Sequence, residues 1–277
     1  MRNLLGVMQG RLLPKFKGRY QAHPVGYWQD EFPIAKSLGL DCIEFILDYN
    51  DFEKNPLISE TGTTEIQKAI EETGVKVVSI CADYFMEAPF HSGDPIVVKN
   101  SQKVLSTLLK YGSEIGVNDI VIPCVDQSSL RSDSDKKIFY ENILPLVKEA
   151  ELLNINLSLE TDLAPRDFLD VIKMFNSTSV TVNYDIGNSA SLGFDPTQEF
   201  EIYGLHITDI HIKDRKLGSG SVELGTGDAQ FSKVLTQIDK LNYSGPLIMQ
   251  AYRDDEGLEI FKRQLEWVRR KFVGKIN

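Results

Sequence analysis

Short β-branched runs alternate with longer amphipathic stretches along the whole chain. The apolar runs predict strands over 4–8, 41–45, 76–81, 119–122, 156–160, 181–185, 208–212 and 247–250. Between them, apolar positions three and four apart predict helices over 27–38, 63–73, 99–115, 134–153, 166–175, 231–241 and 257–272. Gly39, Gly74, Gly116 and Gly245 stand at helix-to-strand turns, where a left-handed residue commonly ends a helix. Eight strands in 277 residues give about 35 per βα unit, the size of a (β/α)8 TIM barrel. No linker or low-complexity segment divides residues 1–277, so one barrel domain is expected.

Alternation within the strands separates a closed barrel from an open, doubly wound sheet. In 156–160, Leu157 and Leu159 oppose Ser158 and Glu160. In 181–185, Val182 and Tyr184 oppose Thr181, Asn183 and Asp185, and in 209–212 Ile210 and Ile212 oppose Asp209 and His211. Apolar side chains packing on outer helices and polar ones entering a barrel interior produce this pattern. A sheet covered on both faces would read as more uniformly apolar. The first strand–helix junction also lacks a dinucleotide-type glycine pattern, and no Walker-type phosphate loop occurs.

Four predicted strands end in a residue able to bind a divalent ion: Glu160, Asp185, His211 and Gln250. On neighbouring barrel strands these side chains converge at one rim. Two carboxylates, an imidazole and an amide oxygen form a mixed set suited to Mn²⁺, Mg²⁺, Co²⁺ or Zn²⁺. Any one of them alone reads as an ordinary polar strand end; their shared position and parity point to a metal centre. An ion there would polarise a substrate carbonyl and hydroxyl together, stabilising an enediolate. Gln9 and Arg11 after the first strand, Glu44 on the second, Lys213, Asp214 and Arg215 after His211, and Arg253 after Gln250 form a polar, partly cationic ring. Such a ring favours a hydrophilic or anionic small molecule. Leu224-Gly225-Thr226-Gly227-Asp228 reads either as a loop whose N–H groups meet an oxyanion or as a plain turn. His23 and His91 are expected near the mouth, and His206 is expected to be structural.

Net charge is −10 without a strong basic cluster, which argues against a nucleic-acid partner. No apolar run is long enough to cross a bilayer, and the apolar part of the N-terminus is too short for a secretory signal, so the expected location is cytoplasmic. Cys42, Cys81 and Cys124 lie singly in apolar strands and are expected to be buried thiols. No Gly-x-Ser-x-Gly elbow supports serine nucleophile chemistry.

Glu160, Asp185 to Asn188 (Asp-x-Gly-Asn), His211 to Arg215 (His-Ile-Lys-Asp-Arg) and Leu224 to Asp228 resemble motifs of the sugar-phosphate isomerase/epimerase group of xylose isomerase-like TIM barrels. Met8 to Leu12, Trp28 to Ala35 and Ile43 to Phe45 extend the resemblance over nearly the whole chain. It implies one divalent ion held by Glu160, Asp185, His211 and the strand-eight residue, and an enediolate mechanism with carboxylates on strands five and eight shuttling a proton. Two departures matter. Gln250 stands where these epimerases have Glu, and Asn188 stands where many relatives have a substrate-binding His. DNA-repair members of the superfamily use many histidines, and this chain has four.

The expected function is therefore a metal-dependent sugar or sugar-phosphate isomerase or epimerase with Glu160 as base and Asn188 among the substrate contacts. A keto-polyol dehydratase on the same metal site is the rival reaction, distinguished by loss of water. A non-catalytic carbohydrate-binding barrel is the rival class, distinguished by the absence of substrate proton exchange. A small carbohydrate is the expected partner, and the sequence permits a homo-oligomer.

Overall fold

The structure is a computed structural model that describes residues 2–254 and 257–276. Its strands are β1 (Leu5–Met8), β2 (Cys42–Ile46), β3 (Lys76–Cys81), β4 (Asp119–Cys124), β5 (Asn156–Thr161), β6 (Val180–Asp185), β7 (Ile207–Ile212) and β8 (Leu247–Met249). They pair in parallel in chain order, and β8 closes onto β1. This is a (β/α)8 TIM barrel. The helices are α1 (Glu31–Ser37), α2 (Glu60–Thr73), α3 (Tyr84–Glu87), α4 (Pro95–Ile115), α5 (Asp133–Leu153), α6 (Pro165–Met174), α7 (Ile186–Leu192), α8 (Pro196–Tyr203), α9 (Phe231–Leu241) and α10 (Leu258–Lys271).

Helix starts follow their caps more closely than their apolar periodicity. Ser59 Oγ accepts from Gly62 N–H and Asp94 Oδ1 from Ile96 N–H, so α2 and α4 begin three and four residues before the expected points. Helices α3, α7 and α8 were not expected, because segments of 4, 7 and 8 residues are too short to show a helical period. Gly74 and Gly116 end their helices in the left-handed region. Gly245 does not. A Cβ there would lie 2.4 Å from the Thr208 carbonyl oxygen, so close backbone approach, not positive φ, requires this glycine.

The expected parity holds. Leu157, Leu159, Val182, Tyr184, Ile210 and Ile212 are buried in the apolar cluster shared with the outer helices. Inside the barrel, Met8, Cys42, Ile46, Val78, Cys81, Val121 and Ile248 form a separate apolar cluster on the β8 to β4 side. The β5 to β7 side is polar, so the barrel interior is chemically lopsided. Pairing between β6 and β7 skips Thr208. That bulge turns Thr208 inward beside Asp209, where Thr208 Oγ1 meets Thr181 Oγ1 at 2.8 Å and donates to Asp119 Oδ1 at 2.5 Å. A hydrogen-bonded floor thus lies below the C-terminal rim.

Candidate active site

Glu160, Asp185 and His211 each offer one ligand atom, all within 4.8 Å of one another, at the ends of β5, β6 and β7. His211 Nδ1 lies 3.7 Å from Glu160 Oε2 and 4.0 Å from Asp185 Oδ2. Strand ends deliver these side chains without any help from loops. Asp185 also caps α7, taking the Asn188 N–H on Oδ1 at 2.8 Å and leaving Oδ2 towards the centre. The chain can fold back so tightly because residue 187 is glycine. A Cβ there would lie 2.7 Å from Lys213 Cγ.

Polar neighbours hold the carboxylates. Asn183 Nδ2 donates to Glu160 Oε2 at 2.8 Å and faces His211 Nδ1 at 3.2 Å. Asn188 Nδ2 donates to Glu160 Oε1. Lys213 Nζ lies 3.2 Å from Asp185 Oδ2 and 3.4 Å from Asn188 Oδ1, which also accepts from Arg215 Nη1 at 2.8 Å. Burial, with the Asp185 charge adding to it, pushes the Glu160 carboxyl up to about 7. Burial likewise raises Glu44 to about 7, against the hydrogen bond that the Ser79 hydroxyl donates to it. Asp209 is raised well above the usual carboxylate range by burial and by Glu44. Two buried acids with oxygens within 4.8 Å of each other carry one negative charge more readily than two.

A cleft of about 230 Å³ opens over the centre. Of the residues expected around the site, Glu160, Asn188, Lys213, Arg215 and Gln250 line it. The other expected contacts do not line it. Glu44 is fully buried beneath His211. Gln9 Oε1 accepts from Ile46 N–H and faces His23 Nδ1, both at 3.0 Å, tying the first two strands and their loop together. Arg11 is buried, and burial with Arg253 nearby lowers it to about 10. The Arg253 guanidinium stacks 4.1 Å from the Tyr20 ring centroid and donates to the Arg11 carbonyl.

Asp214 does different work from the substrate contact expected of it. Its Oδ2 accepts from Gly225 and Gly227 N–H at 2.8 and 2.9 Å, and its Oδ1 from Ala229 N–H at 3.1 Å. The N–H groups of the two loop glycines, Gly225 and Gly227, therefore point at a carboxylate of the chain itself and not at a ligand. His91 and His206 are half-buried away from the cleft wall. The three cysteines are buried free thiols, as expected. Gln21, Asp83 and Asp162 line the cleft without having been anticipated. Asp83, two residues beyond Cys81 at the end of β3, carries the same strand-end signal that marked the metal candidates. Gln21 lies in a loop that gives no such signal.

The model of the xylose isomerase-like TIM barrel family matches residues 32–271. The chain belongs to that family. Among its relatives, L-ribulose-5-phosphate 3-epimerase UlaE of Escherichia coli O1:K1 / APEC is 24% identical over 265 residues, covering 91% of this chain and 93% of its own. Two solved structures of similar fold are the apo 3-keto-D-glucoside 4-epimerase YcjR of E. coli and the IolI protein with a bound zinc atom. The first has TM-score 0.76 and 18% identity, covering 97% of this chain and 100% of its own. The second has TM-score 0.74 and 14% identity, covering 98% and 96%.

The residues fit a divalent ion. Gln250, which lines the same cleft as Glu160, has a buried Oε1 without a hydrogen-bond partner among the described residues, an arrangement that costs free energy unless something else meets the oxygen. Oxygen and nitrogen donors of this kind suit a hard or borderline cation.

Proposed function

We propose that this chain is a divalent-metal-dependent isomerase or epimerase of a sugar or sugar phosphate. The cluster of Glu160, Asp185 and His211 at a polar cleft that Gln250 also lines, with the Gln250 oxygen unpartnered among the described residues, carries that reading. These four residues would hold the ion. Once bound, it would supply Lewis-acid polarisation of a substrate carbonyl and the adjacent hydroxyl.

Glu160 is the base. Both its oxygens are fixed by Asn183 and Asn188, and a carboxyl held near 7 can accept a proton from carbon and return it at neutral pH. Lys213, Arg215 and Asn188 orient hydroxyl or phosphate oxygens from the cleft wall. Gln250 has no proton to exchange. Proton transfer between adjacent carbons on one face of the sugar needs Glu160 alone, whereas inversion needs a second carrier on the other face. A 3-epimerase of a 2-ketose and a 4-epimerase of a 3-keto sugar, the activities named for two relatives, each act at a carbon beside a carbonyl. That chemistry is what a positioned carboxylate base performs.

Glu160→Gln is the test. It keeps an oxygen donor and removes the base, so substrate proton exchange should fall about 10²- to 10⁴-fold. Full exchange with full metal content in this variant would refute the assignment.

A further inference from the structure

Gln21 makes three side-chain hydrogen bonds that fix which way its amide faces. Its Oε1 lies 3.1 Å from Arg11 Nη2 and 3.0 Å from Gln250 Nε2, and its Nε2 lies 3.0 Å from Asp83 Oδ2. A guanidinium offers donors only, so the Gln21 atom facing Arg11 must be oxygen. A carboxylate oxygen at the other end calls for the NH₂ group. Both ends agree, and flipping the amide would break all three contacts.

An oxygen fixed in that place can take only a donor from Gln250. Gln250 must therefore turn its NH₂ group to Gln21, which sends its own Oε1 the opposite way. That oxygen is buried and has no partner among the described residues, and its side chain shares the cleft wall with Glu160. We infer that Gln21, held by Arg11 and Asp83, is a positioning residue that selects the metal-ligating orientation of the Gln250 amide. A carboxylate at position 250 presents oxygen in both orientations and needs no such control. An amide ligates in only one. The inference rests on the metal-site reading above.

Co²⁺ binding by wild type, Gln21→Leu, Gln250→Glu and the double variant tests it, followed by calorimetry and by the visible absorption of the bound cobalt. Gln21→Met replaces the leucine variant if the latter does not fold. In the Gln250 background, loss of Gln21 should weaken Co²⁺ binding about tenfold and change the cobalt spectrum. In the Gln250→Glu background it should change affinity less than about twofold. Equal loss in both backgrounds would make Gln21 a general support of the site, and no loss in either would deny it a role. Both outcomes overturn the inference while leaving the metal site intact. Wild type that takes up no Co²⁺ would instead refute the metal-site reading, and the inference with it.

Discussion

His211 and Glu44 meet inside the barrel with Nε2 2.9 Å from Oε1, and solvent reaches neither side chain. On the other ring nitrogen, the Asn183 NH₂ group lies 3.2 Å from Nδ1. A carboxylate beside Nε2 and an amide donor beside Nδ1 favour the tautomer that carries the ring proton on Nε2. Nδ1 then keeps its lone pair on the side of Glu160 and Asp185. Glu44→Gln can turn an NH₂ group towards Nε2 and remove that preference. Metal affinity should fall about 10- to 100-fold with the fold retained. Calorimetric titration with Mn²⁺ measures it, and unchanged affinity would show that Glu44 does not set the tautomer.

Replacing Glu160 with Gln should lower the rate of substrate proton exchange about 10²- to 10⁴-fold, the usual contribution of a positioned base. Metal content, read by atomic absorption, should stay measurable because the amide retains an oxygen. An exchange rate within a few-fold of wild type would move the base elsewhere.

Gln250→Glu restores a proton carrier to the end of β8. Exchange or inversion on the second face of the sugar should rise in this variant, detected by NMR of the recovered substrate. If neither changes, another cleft residue already supplies that proton, and the carboxylates of Asp83 and Asp162 are the first to replace.

His23 gives a pH signature that belongs to stability and not to catalysis. Burial lowers its pKa from 6.5 to about 3, so the folded protein holds the ring neutral. Between these two values the unfolded chain binds the extra proton and the folded one does not. The neutral ring's contribution is therefore complete above about 6.5 and is lost as pH falls towards 3, at about 1.4 kcal/mol per pH unit. His23→Gln should show a shallower loss of stability than wild type between pH 6.5 and 5 in urea unfolding. Parallel curves for the two proteins would mean that His23 titrates alike in both states.

The barrel was legible because its strands obey a period of two and its longer helices a period near 3.6. Each predicted strand lies within two residues of the observed one. The convergence of Glu160, Asp185 and His211 was legible for the same reason, since parity and strand-end position are properties of the sequence itself. Depth was not. Nothing in the order of residues separates Glu44, buried behind His211, from Asn188 on the cleft wall. Asp214 was equally opaque, because a carboxylate that gathers three N–H groups from its own loop looks in sequence like one awaiting a ligand. Gln21 reaches Gln250 across 229 positions of chain, a contact that only the closure of the barrel creates.

Solvent deuterium exchange into candidate sugars tests the central claim most directly. Metal-loaded protein is incubated in D₂O with a panel of aldoses, ketoses and their phosphates, the metal is removed, and the sugars are examined by NMR. Deuterium should appear at one carbon beside a carbonyl, only with the ion present, and not with Glu160→Gln. Protein that demonstrably holds metal yet exchanges no proton in any of these substrates would contradict the account, and would favour a dehydratase or a binding protein on the same barrel.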